Sequence, residues 1–191
     1  VNHLITSLVH RYEARTRLSA ATVALLQQVS RTVTLLKNDK LIEAGTYAQY
    51  VYFLVKGTIR SYYLKDGTEV NTWFAFDGEL VGSFDTYLLQ QAAPETVEAL
   101  EPCELLALDI QLLKKELLVN LEVSNLVRVM IEEYAAFLQA RINALQFQTA
   151  EQRYSWLLQY EPETLQRVSL THIASYLGVS RETLSRMRGK K

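Results

Sequence analysis

Between Pro102 and Pro162 the chain contains neither proline nor glycine, a run of 59 residues compatible with helix throughout. Two apolar seams run through it in alternating steps of three and four. Val127, Met130, Tyr134 and Phe137 form one; Ile131, Ala135, Leu138, Ile142 and Leu145 form the other. That spacing keeps each seam on one helical face and predicts a long helix that carries both. Two adjacent seams let such a helix pack on its own domain and on a second copy of the chain, so a homodimer is expected. Burial wholly within one chain is the alternative.

Upstream the texture changes. Gly45, Gly57, Gly67, Gly78 and Gly82 punctuate runs rich in β-branched and aromatic residues at 32–35, 51–55, 58–64 and 70–74. Asp66-Gly67 between two of these runs marks a tight hairpin. Closely spaced short strands of this kind predict a barrel or roll. Before them, Leu4, Ile5, Leu8, Val9 and Tyr12 and then Val23, Leu25, Leu26 and Val29 have helical spacing, with Ser19 placed to cap the second helix.

Composition excludes several classes. At 191 residues and 49% hydrophobic, the chain can bury a core. The single Cys103 cannot make an internal disulfide, a four-thiolate zinc site or a cysteine-held iron–sulfur cluster; beside a strand-like run it reads as a buried apolar residue. No apolar run reaches the roughly 18 residues that span a bilayer, and the polar first 17 residues do not resemble a secretory leader. A cytoplasmic protein without a membrane partner is expected. Net charge is −1, but residues 168–191 hold five basic residues against Glu182 alone, leaving −5 on the other 167 residues. A basic end on an acidic body suits a polyanion. The sequence has no nucleophile elbow, phosphate loop or His-Glu metal motif, so neither an enzyme nor a metal site is expected.

The segment 169–187 is the most informative. It reads as two short helices around a tight turn, preceded by a helical stretch at 149–159 and a chain break at Pro162. Ser169 caps the first helix, whose inward face is Ile173, Ala174 and Leu177. Gly178 supplies the left-handed residue that ends it. Ser180 caps the second helix, and Val179, Leu184 and Met187 pack it onto the first. This is a helix-turn-helix pattern of the DNA-binding type. Arg181, Glu182, Ser185 and Arg186 then occupy the end that enters a major groove, where Arg can bind guanine O6 and N7 and Glu can accept from cytosine N4. Glu182 and Arg186 at i, i+4 can also form an intrahelical ion pair. Ser169, Thr171, Ser180, Arg188, Lys190 and Lys191 are the expected backbone contacts on double-stranded DNA, and His172 is expected to face solvent or a phosphate.

On these residues the chain resembles the Crp–Fnr family of bacterial transcription regulators over nearly its whole length. The likeness rests on Gly45, on Val55-Lys56-Gly57-Thr58-Ile59, on Phe76-Asp77-Gly78-Glu79-Leu80-Val81-Gly82, and most specifically on 173–186. It implies an α+β fold: a cyclic-nucleotide-binding-like β-roll (jelly-roll) domain with N-terminal helices over 1–120, a long dimerisation helix over 121–147, and a helix-turn-helix domain over 148–191. The sequence given ends where the family's β-wing would follow, so a domain lacking most of the wing is expected. The resemblance also places base reading on Arg181, Glu182, Ser185 and Arg186, implies a half-site with a TGA-like core, and adds RNA polymerase as a partner.

Gly78, Glu79 and Thr96 are the candidate effector-pocket residues, for an effector the sequence does not name. Cyclic AMP is not expected, because the family's phosphate-binding Arg is missing: no Arg or Lys occurs from 70 to 109, and Glu95 and Glu98 stand near where the cation would be needed. The oxygen sensors' cysteine cluster is also absent, so no iron–sulfur cofactor is expected. The rival reading is a small-molecule- or protein-binding β-roll whose C-terminus no longer reads DNA; the intact turn and polar second helix argue against it.

Overall fold

A computed structural model describes residues 2–189. Helices α1 (Asn2–Tyr12) and α2 (Ala20–Gln28) lead into eight strands: β1 (Ser30–Leu35), β2 (Lys40–Ile42), β3 (Tyr50–Lys56), β4 (Ile59–Lys65), β5 (Thr68–Ala75), β6 (Glu79–Val81), β7 (Thr96–Ala99) and β8 (Cys103–Asp109). Then follow α3 (Ile110–Glu116), α4 (Leu121–Phe147), α5 (Ala150–Tyr160), α6 (Pro162–Arg167), α7 (Leu170–Leu177) and α8 (Arg181–Gly189). The strands form two four-stranded antiparallel sheets, β1-β8-β3-β6 and β2-β7-β4-β5. This is the expected roll.

Strands β3 and β8 are apolar on both faces because both faces are covered. Leu54, Leu105 and Ala107 point between the sheets, where they meet Ile42, Ile59, Val97 and Ala99. Phe53, Leu106 and Leu108 point outward under the helices, against Leu4, Ile5, Leu8 and Leu26. The Asp66-Gly67 turn closes the β4–β5 hairpin with Lys65 opposite Thr68. At Gly57 a close approach fixes the residue: a Cβ there would lie 2.4 Å from the Cys103 sulfur. Cys103 itself is buried.

The Gly- and Pro-free stretch is divided by caps. Asp109 Oδ1 accepts from the N–H groups of Gln111 and Leu112 at the start of α3, and Asn120 Oδ1 from those of Glu122 and Val123 at the start of α4. A Thr149–Gln152 capping box starts α5. Pro162 does not simply break the chain: it occupies the first turn of α6, where its missing N–H costs nothing.

Helix α4 uses its two seams differently along its length. Val123, Leu126, Val127, Val129 and Met130 are buried against the roll; at about 1.5–3 kcal/mol for each fully buried side chain, they anchor that half. Further along, Tyr134 stacks on Phe84, with ring centroids 3.4 Å apart. Beyond that, Leu138, Ile142 and Leu145 are 38%, 49% and 51% exposed. Among the described residues no helix is long and apolar enough to cross a membrane, and no cluster of three or more His, Cys, Asp or Glu is placed to hold a metal ion.

Candidate nucleic-acid interface

The geometry of α7, the turn and α8 follows from local chemistry. Ser169 Oγ accepts the His172 N–H at 3.3 Å, satisfying a donor at the start of α7. Gly178 sits at φ 69° and donates back to the end of α7, while the Val179 N–H reaches Ala174 O at 3.0 Å. A side chain at that left-handed position would be strained. Ser180 Oγ then accepts the Thr183 N–H at 3.2 Å and opens α8. Ile173, Ala174, Leu177, Leu184 and Met187 close a small core with Tyr154 and Leu157 of α5.

At 100° per residue, Arg181, Glu182, Ser185 and Arg186 fall within an arc of about 140° on α8, with Leu184 and Met187 opposite. All four are exposed, as are Ser169, Thr171, Ser180 and Arg188. Lys190 and Lys191 lie outside the described residues. Arg186 does not pair with Glu182; its Nη2 donates to Thr183 Oγ1 at 3.3 Å. The Glu182 carboxyl is held below the usual carboxylate range, chiefly by its own backbone N–H and then by Ser180. The face therefore presents two guanidinium groups and one carboxylate to solvent.

The opposite side of α7 docks on the roll. Ser175 Oγ donates to Glu69 O at 2.9 Å and accepts the Asn71 N–H at 3.0 Å, and the Tyr176 ring meets Phe74 with centroids 5.2 Å apart. His172 differs from expectation: it is half-buried, with Nδ1 3.2 Å from Arg60 Nη1. Burial first, and then the Arg60 charge, lower its pKa. Arg153 ties the motif to its neighbours by donating to Gln148 O at 2.6 Å and Leu177 O at 2.7 Å.

Residues 32–119 match the profile of the cyclic nucleotide-binding domain. No curated protein sequence matches the chain significantly. Among solved structures, FixK2 from Bradyrhizobium japonicum superposes with a TM-score of 0.70 at 22% identity, over 85% of this chain and 84% of that one. CLP from Xanthomonas campestris, a c-di-GMP-responsive global regulator, gives 0.71 at 20% identity over 90% and 91%. A Crp/Fnr-family protein from Eubacterium rectale gives 0.71 at 19% identity over 91% and 83%. The chain has the Crp/Fnr fold.

Within that Crp/Fnr fold, the three candidate effector residues do not form one constellation. Gly78 and Glu79 make the turn into β6: the Gly78 N–H donates to Leu54 O at 2.7 Å, and Glu79 Oε2 accepts the Phe76 N–H at 3.0 Å. Thr96 stands on β7 in the other sheet, where its Oγ1 accepts the Ala44 N–H. Nor is the roll without a buried cation. Arg60 on β4, 4% exposed, pairs with Glu98 at 3.2 Å and Glu69 at 2.5 Å. Arg60 lies outside residues 70–109, because β4 precedes them and reaches Glu98 only by strand pairing. Both of its ion-pair partners are acids of this chain, so its charge is already met without a phosphate.

Proposed function

We propose that the chain is a sequence-specific DNA-binding transcription regulator, working as a homodimer on a pseudo-palindromic operator under the control of an effector in the roll. The observation that carries this reading is the α8 face. Arg181, Glu182, Ser185 and Arg186 are exposed together at the N-terminal end of a helix whose other side is locked by Leu184 and Met187. Arg186 and Arg181 supply the bidentate geometry that guanine requires. The exposed Leu138, Ile142 and Leu145 strip on α4 is the surface that a second copy covers, which would set two α8 helices roughly 34 Å apart, one turn of DNA.

The test is selection of bound duplexes from a random pool by the purified chain, first without added ligand and then with cyclic nucleotides or cell extract. A two-fold symmetric motif is expected. Enrichment of nothing under any of these conditions would overturn the reading in favour of a roll that binds other ligands.

A further inference from the structure

Asp85 and Glu95 line one cleft of about 390 Å³, bounded by β5, the segment after β6, and α4. Small-molecule sites have roughly this size. Two features of its wall favour a positive charge. The first is the pair of acids. Glu95 is 4% exposed, its carboxylate takes one described hydrogen bond, from the Tyr63 hydroxyl at 3.2 Å, and neither acid is in an ion pair among the described residues. A buried carboxylate without a cation is costly. Burial and Glu95 together push the Tyr63 phenol up, so it stays a neutral donor.

The second feature is aromatic. Trp73, Phe84 and Tyr134 line the same cleft, and ring faces attract organic cations. A bulge in β5 opposite Ser61 and Tyr62 brings the consecutive residues Asn71, Thr72 and Trp73 onto this one wall, where a regular strand would turn the middle one away. The wall's own cation, Arg141, is committed elsewhere. Its Nη2 donates to Tyr176 O at 2.5 Å and its guanidinium lies 3.8 Å from the Tyr176 ring centroid.

We propose that this cleft binds a small protonated amine, its ammonium held by Glu95 and Asp85 and its organic body against the rings. Ser175 and Tyr176 of α7 also line the cleft, as do Leu138 and Leu145 of the α4 strip, so an amine there lies between the roll, the helix-turn-helix and the surface proposed for the second copy. That position makes it the effector; this last step alone rests on the regulatory reading.

The experiment is calorimetric titration of the full chain with tyramine, agmatine and spermidine at constant pH and ionic strength, with cyclic AMP as the anionic comparison. At least one amine is expected to bind with a Kd below roughly 1 mM. Glu95→Gln and Asp85→Asn should each weaken it at least tenfold, while the surface variant Glu13→Gln leaves it unchanged. Circular dichroism identifies any variant that fails to fold, and the other variant then decides. The proposal fails if no amine binds, if cyclic AMP binds instead, or if the folded variants bind as the parent does. Duplex selection on the same preparation separates the two readings: a selected motif without amine binding removes only the ligand class, and amine binding without a motif removes only the DNA reading.

Discussion

Arg186 leaves α8 at the edge of the exposed arc, braced by Thr183 rather than by an acid. A guanidinium held through a neutral hydroxyl keeps its full charge and most of its donors free for a base edge. On the DNA-binding reading, Arg186→Ala therefore lowers affinity for the selected duplex by about 1–3 kcal/mol and relaxes preference at one base position. Competition titrations against selected and random duplexes check this. Equal losses on both would move Arg186 to the phosphates. The same local reasoning explains Arg60. Burial beside Glu98, Glu69 and His172 makes it a structural hub of the roll and leaves α8 to supply the outward-facing guanidinium groups.

Helix α4 changes partner along its axis. Its first half is anchored by Val123, Leu126 and Met130 in the chain's own core, and its second half leaves Leu138, Ile142 and Leu145 in solvent. A row of large aliphatic side chains left exposed at steps of four and three is the arrangement that a second helix covers. Changing Ile142 and Leu145 together to Glu places like charges in that seam without touching the buried half. The variant should sediment as a monomer of 21.9 kDa, keep its circular dichroism, and lose at least about tenfold in operator affinity. A variant that stays dimeric would exclude this face.

At the scale of the whole molecule, the helix-turn-helix docks on the roll where α7 meets β4 and β5, through apolar and polar contacts together. His172 faces Arg60, Glu69 and Glu98 there, and its pKa is lowered from an ordinary 6.5 by burial first and by Arg60 second. A lowered histidine pKa means the unfolded chain binds the proton more readily, so stability rises with pH across the window. The contribution is complete above about pH 6.5, is lost as pH falls through that value, and levels off below the folded pKa. The slope from one such group is at most about 1.4 kcal/mol per pH unit. Urea unfolding from pH 7.5 to pH 5 should show the parent losing more stability than His172→Gln. Parallel curves would mean that the docked histidine does not report on this surface.

The helix-turn-helix, the long helix α4 and the Asp66-Gly67 hairpin were legible in the sequence because their causes are local. A cap, a left-handed glycine and a 3.6-residue period each act within a few positions. The candidate base-reading residues were legible for the same reason: one helix sets which of its neighbours face outward. Strands β2, β6 and β7, at three or four residues each, are too short to carry a period and exist only through pairing with distant strands. The Arg60–His172 contact joins residues 112 positions apart. The cleft at Asn71, Asp85 and Glu95 depends on a bulge and on where α4 crosses the roll. The sequence determined the parts whose geometry is closed by neighbours along the chain. Tertiary structure alone decided the parts built from long-range packing, because the free energy that places them comes from surfaces that meet only once the chain has folded.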